Sequence, residues 1–547
     1  MNEKSYHRTL ALILVAFSIG MSALISNRVF ERLPHLEDEV AYLFQAKTYA
    51  GGQLVVDIPE ARRAYWQPFV VDYTPAGNRF SKYTPGWPML LAMGVLLGQA
   101  WVINALLSGL NVALVYRLGR EVFSPDAGLI AAALTAFSPM ALLLNSTLMG
   151  HTAALCGVTL FMYAYWRIER GRHALRWGVV AGLALGLVIA TRPLTAIGMT
   201  FPFILWSGFR VLRADIRYTR NHESAVHVRQ VLTPLLTLAA VTLLISAVIP
   251  IYSYAATGDP TKNLYTLVWS YDRVGFGECC GRNGHTLEKG LRHVRFDLSL
   301  MAADLFGWQL QDVTGLPRHI GQWLTTGEMG TSITPALQDH LQTEGDYWLL
   351  TGISWILLPF GLLVGFRKRW TWLLAGAALS LIAVHMAYWI GSQRYSTRYY
   401  FETLQAFALL SALPIAWLIQ RTRRRWLIYA LLTASLIYTL YAYSTPRIHA
   451  LYRFNFITPE VIEGVNARRS SDEPVLVVVT GTDVRWRALG ALMSQTSPYL
   501  DSDIVVAWDN LQPGLRDQIE ARFRDREIIE MAAEGNNSWF VDEPPAR

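Results

Sequence analysis

Long uninterrupted apolar runs govern what this chain can fold into. They recur near residues 9–27, 101–118, 127–145, 150–167, 174–191, 194–211, 231–254, 347–366, 370–390, 399–419 and 425–443. An apolar helix of about 18 residues or more is long enough to cross a bilayer. The runs therefore predict an all-α polytopic membrane protein with about eleven spanning helices. A further apolar stretch, 86–99, is too short to span comfortably. Composition agrees, since 52% of the 547 residues are hydrophobic and only 16% are charged, whereas soluble domains run near a quarter charged. The 19 Trp and 25 Tyr suit a protein with long membrane interfaces. The net charge of +7 reads as loop bias, and no nucleic-acid partner is expected. Three cysteines, Cys156, Cys279 and Cys280, exclude a disulfide framework. Lys4 and Arg8 precede the run Thr9–Ser26 and imitate a signal peptide. That run is long and has no clear small-residue cleavage site, so it reads as an uncleaved first span.

Cytoplasmic loops carry the excess of Lys and Arg. Basic clusters stand at Arg117/Arg120, Arg167/Arg170/Arg172/Arg176, Arg210 to Arg229, Arg367/Lys368/Arg369 and Arg421/Arg423/Arg424/Arg425. With a cytoplasmic N-terminus, all fall inside only when 86–99 does not cross. That stretch is therefore expected as an interfacial helix. The predicted organisation is a multi-pass module in the cell membrane over 1–443, with a first outer loop (28–100) carrying interfacial helices and a large outer loop (255–346). An extracytoplasmic α/β domain follows over 444–547. Its buried strands read from VLVVVT (Val475–Thr480) and DIVVAWD (Asp503–Asp509), with helical stretches between and after.

This orientation gathers polar residues on one face. The stretch LEDEVAYLFQAK places Glu37, Asp38 and Glu39 just past the first span. Lys82 precedes the interfacial helix, His151 opens the fourth span, and Arg192 stands at the turn between the fifth and sixth. Arg394 and Arg398, with Tyr399, precede the tenth. Each has an ordinary reading. Acids in a first helical turn suit the helix dipole, a lysine can snorkel to headgroups, and His151 can be a helix-end hydrogen bonder. Arg192 and Arg398 can be interfacial anchors. Their convergence is harder to dismiss, because charges at this depth are costly unless paired or wetted. Moving a sugar off a lipid phosphate needs a base for the acceptor hydroxyl and cations for the departing phosphate. In the first loop Asp57, Asp72 and Arg79 are candidate acceptor contacts. In the large loop, YDRVGFGECCGRNGH offers Asp272, Arg273 and His285 as lid or acceptor residues.

At these residues the chain resembles the GT-C superfamily of polyprenyl-phosphate-sugar-dependent glycosyltransferases, in particular protein O-mannosyltransferases and lipid A aminoarabinose transferases. The resemblance rests on Asp38-Glu39-Val-Ala-Tyr after the first span and on Ser81-Lys82-Tyr83-Thr84-Pro85-Gly86-Trp87-Pro88. It extends to Thr191-Arg192-Pro193 and Arg398-Tyr399, covering residues 1 to about 420. It implies Asp38 as general base, Glu39 as the acid that orients it or touches the acceptor, and Lys82, Arg192, Arg398 and Tyr399 at the donor phosphate. It implies inversion at the anomeric carbon by direct displacement. Glu37 precedes the pair, so the base can also be Glu37 or Glu39. Asp72, His151, Asp272, His285 and Arg394 remain possible acceptor or lid contacts. No His/Asp cluster stands at ligand spacing, so no cofactor is expected, although some members of the superfamily use a divalent metal. The expected partners are a polyprenyl-phosphate-sugar donor, the bilayer, and a glycan, lipid or protein acceptor. The competing readings are a transporter or flippase of a lipid-linked sugar and a surface-polysaccharide polymerase or ligase. A transporter would favour internal repeats and midplane charges, and neither is present in the sequence.

Overall fold

The computed structural model describes residues 3–221, 225–309 and 352–543. Helix α1 (Glu3–Arg28) is followed by α2 (Glu37–Ala50), and a three-stranded antiparallel sheet leads to α3 (Gly86–Leu96). The bundle continues through α4 (Val102–Val122), α5 (Pro125–Phe137), α6 (Pro139–Leu144), α7 (His151–Glu169), α8 (Ala174–Thr191), α9 (Pro193–Asn221), α10 (Ala225–Ser246) and α11 (Val248–Thr257). Helix α12 (Leu287–Asp304) lies in the large loop, and helices Arg369–Met386, Leu404–Arg421 and Arg425–Thr439 complete the bundle. Among the described residues, eight helical segments are long and apolar enough to cross a membrane.

Three of the expected spans are not among those eight, for different reasons. The run 127–145 breaks at Ser138-Pro139. Proline lacks an N–H and pushes its predecessor out of the helical region. Ser138 accordingly adopts ψ 123° and caps α6, accepting from the Ala141 N–H at 3.3 Å. The run 150–167 is helical as α7, but polar residues along it lower its hydropathy, and it lies inside the bundle, buried on nearly every side. Protein rather than lipid surrounds it, so it tolerates Thr152, Thr159 and His151. Of 347–366, residues 347–351 lie outside the described residues, and the helix there is Leu358–Gly365. Part of the Arg210–Arg229 cluster and residues 310–346 of the large loop also lie outside them. Helix α3, of 11 residues, is about 16 Å long at 1.5 Å per residue and too short to cross.

The C-terminal lobe is a four-stranded sheet in the order β7-β6-β8-β9, where β6 is Val475–Thr480, β7 Ile504–Asp509, β8 Glu527–Glu534 and β9 Asn537–Phe540. β7 and β8 pair with β6 in parallel, and β9 closes the edge antiparallel. β6 and β7 stand where the apolar runs placed them. β8 and β9 were expected as helix; β8 alternates buried and exposed residues, the two-residue period of a half-covered strand. The lobe is seated on the first loop. Leu33 and Val40 enter its core beside Val475, Val477 and Leu492. Ala61, Ala64 and Tyr65 join the opposite face with Leu476, Val505 and Ile519. Lys47 of α2 donates to the carbonyls of Ser494 (2.6 Å), Gln495 (3.3 Å) and Thr496 (3.2 Å), closing the C-terminal end of the helix Trp486–Gln495.

Candidate active site

Four stretches distant in sequence meet at one end of the bundle, and a shared contact set explains why. The turn after Lys82 is stitched to the end of α8 by Thr84, whose hydroxyl donates to the Thr191 carbonyl at 2.9 Å. Gly86 then packs on Ala190 so tightly that a Cβ there would stand 2.6 Å from the Ala190 carbonyl carbon. Trp87 donates from its indole to the Leu148 carbonyl at 2.8 Å, just before His151. The Lys82 turn, the α8–α9 junction and the start of α7 are thereby fixed to one another.

The start of α2 is fixed by Glu39. Its carboxylate accepts from the backbone N–H groups of His35 (2.8 Å), Leu36 (3.1 Å) and Leu148 (2.7 Å), and from the Tyr395 hydroxyl (2.7 Å). These bonds satisfy orphan donors at the helix start. Burial raises the pKa of Glu39 to about 7, against those four donors. Glu39 does not line the cavity described below; its side chain is spent on holding α2. Tyr395 lies in a hairpin of β4 (Gln393–Arg394) and β5 (Ser396–Thr397), with backbone φ 65°. A buried bracket secures this hairpin. Arg447 reaches both oxygens of Asp304 at 3.2 Å and the Tyr395 carbonyl at 3.1 Å, and Ser396 donates to Asp304 at 2.8 Å. Arg394, Arg398 and Tyr399 therefore enter the site from a braced strand end.

Between these elements lies a cavity of about 470 Å³. Asp38, Lys82, Arg192, Arg398 and Tyr399 all line it, as do Glu37, Asp272, Arg273 and Arg394. Asp38 accepts from the Tyr83 hydroxyl on one oxygen and pairs with the Arg398 guanidinium on the other. Burial pushes its pKa up, but the Arg398 charge and the Tyr83 hydrogen bond carry the balance below the ordinary carboxylate value. Lys82 pairs with Asp272 at 3.3 Å. Its ammonium sits among four rings, 4.1 Å from the centroid of Phe69, 4.5 Å from Trp269 and 5.3 Å from both Tyr83 and Tyr265. Burial lowers the Lys82 pKa, while Asp272 and Asp38 oppose that shift. Tyr399 offers its ring to two cations, with Arg398 at 5.1 Å and Arg192 at 5.5 Å. Asp272 also accepts from Tyr388 (2.9 Å) and the Trp389 indole (3.1 Å), which closes the 268–286 loop over this wall.

Other predicted contacts fall elsewhere. Asp72 and Arg79 sit opposite each other on β2 (Val70–Tyr73) and β3 (Asn78–Ser81) as a 3.6 Å ion pair away from the cavity. β1 (Val56–Asp57) flanks β3 and carries Asp57, also off the cavity. His285 Nε2–H donates to the Met386 carbonyl (3.0 Å) and the ring stacks on Phe276, holding the loop rather than facing the cavity. His151 is wholly buried behind Arg192. The sequence reading did not single out Tyr83, Trp269, Tyr388, His385 or Glu402. For Tyr83 its place between Lys82 and Pro85 was an available signal. Glu402, four residues past Arg398 inside an apolar run, was another, because a buried carboxylate there requires a partner.

The fold is that of a polytopic membrane protein with a charged cavity at one end of its helical bundle. Residues 86–250 match the dolichyl-phosphate-mannose-protein mannosyltransferase family. Over 95% of its length the chain superposes on 89% of ArnT from Cupriavidus metallidurans bound to undecaprenyl phosphate, at 12% identity and a TM-score of 0.52. Two structures of the oligosaccharyltransferase of Archaeoglobus fulgidus are also similar. One is tethered with an acceptor peptide (15% identity, TM-score 0.47, 88% of this chain and 62% of that one). The other is AglB with an inhibitory peptide and a dolichol-phosphate (14%, 0.48, 97% and 70%). The chain thus spans 62% of the length of the first. No curated protein matches it. The resemblance to the GT-C superfamily drawn from the sequence is borne out by the family match and the ArnT-like fold.

Proposed function

We propose that this protein is an integral membrane glycosyltransferase that moves a sugar from a polyprenyl-phosphate donor to an acceptor hydroxyl on the extracytoplasmic face. The observation that carries this reading is the joint presence of Asp38 with Lys82, Arg192 and Arg398 in the lining of one cavity. The ArnT structure, which holds undecaprenyl phosphate, supports the choice of lipid. Asp38 takes the proton of the acceptor hydroxyl as its oxygen attacks the anomeric carbon. The bond from that carbon to the phosphate oxygen breaks on the opposite face, giving inversion. The leaving lipid phosphate gains a negative charge, and the three cations stabilise it. Each cation is paired with a carboxylate beforehand: Lys82 with Asp272, Arg192 with Glu402, and Arg398 with Asp38. A donor phosphate that takes over Arg398 frees Asp38 to act, so donor binds before acceptor. Glu37, which lines the cavity where Glu39 does not, is the acid placed to touch the acceptor.

In this reading 1–443 is the transferase module and 444–547 an extracytoplasmic lobe that braces the first loop. The N-terminus is cytoplasmic, and the membrane is the cell membrane. Membranes carrying Asp38→Asn, supplied with polyprenyl-phosphate sugars, test the reaction: glycan incorporation at the wild-type rate would remove the base. A reporter fused after residue 443 tests the orientation, and a cytoplasmic signal would overturn it.

A further inference from the structure

Behind the cavity wall lies a buried cluster that the transfer chemistry does not itself use. Glu402 and His151 are fully buried, and neither lines the cavity. Glu402 Oε1 is 3.2 Å from Arg192 Nε and 3.2 Å from His151 Nδ1. His151 Nε2 is 3.1 Å from Arg192 Nη1. Among the described residues no hydrogen-bond donor reaches the second Glu402 oxygen.

The proton positions follow from the chemistry of the groups. A guanidinium is always charged and has donors only. Arg192 Nη1–H must therefore donate to His151 Nε2, which places the imidazole proton on Nδ1, and Nδ1–H donates to Glu402. Arg192 stands in ion-pair contact with the carboxylate at Nε, where its N–H donates to Thr195 Oγ1 at 3.4 Å, and donates from Nη1 to the imidazole. Two edges of its planar fork are thereby fixed from the protein side. The ring of Tyr399 supports the fork from its face. Arg192 itself lines the cavity.

We infer that Glu402 and His151 are positioning residues that aim Arg192 at the phosphate of the lipid-linked donor. This rests on the reading above, in which Arg192 belongs to the donor site. A guanidinium held in one orientation binds phosphate with less loss of side-chain freedom than a mobile one. Glu402 also offsets the repulsion between Arg192 and Arg398, which share the ring of Tyr399.

The test uses the full-length protein and undecaprenyl phosphate as the probe, with undecaprenol as the tail-only control. Quenching of tryptophan emission reports binding, since Trp269 and Trp389 line the cavity. Glu402→Leu and Arg192→Ala should each weaken undecaprenyl phosphate binding by about tenfold, as expected for loss of a buried charged hydrogen bond. The double variant should be no weaker than Arg192→Ala alone, because Glu402 acts through Arg192. Glu402→Gln, which keeps the Oε1 acceptor, should recover most of the affinity, and undecaprenol binding should not change. Should Glu402→Leu fail to accumulate, His151→Leu makes the same measurement. Full affinity in the Leu variant, or losses that add in the double variant, overturns the inference while leaving Arg192 in the donor site. Full affinity in Arg192→Ala overturns the donor assignment itself.

Discussion

The Arg398 guanidinium lies against the Asp38 carboxylate, whose other oxygen accepts from Tyr83. The same cation thus serves as partner of the proposed base and as a candidate ligand of the leaving phosphate. The two residues are expected to fail differently. Asp38→Asn should lower turnover by about 100-fold or more with donor affinity kept, since general-base contributions are of that order. Arg398→Ala should weaken donor binding as well as slow transfer. Steady-state kinetics and polyprenyl phosphate titration on both variants separate the roles, and equal donor affinity in the two would refute them.

Lys82 is boxed by four rings and Asp272. The box surrounds a compact ammonium, a point charge whose geometry the planar, wider guanidinium does not reproduce. Lys82→Arg should therefore fail to rescue Lys82→Met, each losing at least about tenfold in transfer rate. An active Arg variant would show that charge alone suffices.

Glu39 predicts a pH dependence of stability. Burial raises its folded pKa to about 7, above the ordinary value of 4.5. Between these values the folded chain holds a proton that the unfolded chain has released. Stability from this group is therefore full below about pH 4.5 and lost as pH rises through about 7, a change of up to about 3 kcal/mol. Thermal unfolding from pH 4.5 to 7.5 should show the slope, and Glu39→Gln should flatten it. An unchanged slope in the Gln protein would assign the titration elsewhere.

Lys47 closes the end of the helix Trp486–Gln495 with three carbonyl contacts. Lys47→Met keeps the stem but leaves those carbonyls without their donor, at a cost of about 1–3 kcal/mol. The expected result is faster proteolysis of the C-terminal lobe with the bundle intact, read by mass spectrometry of the fragments.

Gly86 allows α3 to touch Ala190, and a Cβ would stand 2.6 Å from that backbone. Gly86→Val should destabilise by about 1–3 kcal/mol as an overpacked contact. It should also reduce transfer beyond the stability loss, because the contact sets Lys82 relative to Arg192.

Much of this was legible in the residues, and the limits have physical causes. Apolar length marks a span wherever lipid surrounds the helix, so α1, α4 and α8 stood out. The same signal read 127–145 as one element, where one proline divides an otherwise uniform run, and did not tell α7, whose surroundings are protein, from a lipid-facing helix. Asp38, Lys82, Arg192 and Arg398 converge as their sequence positions indicated. Glu39 carried the same charge and neighbourhood as Asp38, yet one helical step turns its carboxylate toward the backbone of His35 and Leu148. No pattern along the chain distinguishes those two directions. Asp304 and Arg447 stayed hidden because their pairing joins segments 143 residues apart.

The pairing of every candidate phosphate-binding cation with a carboxylate has a consequence for what can enter. Cations already paired with carboxylates give a small free anion little reason to settle, because it must evict a tethered competitor at close range. A lipid phosphate arrives with an apolar tail whose burial contributes about 0.8 kcal/mol per methylene. The tail drives the exchange that the headgroup alone cannot. Under the proposed function, the resting ion pairs would favour a phosphate that comes attached to a membrane over a free one.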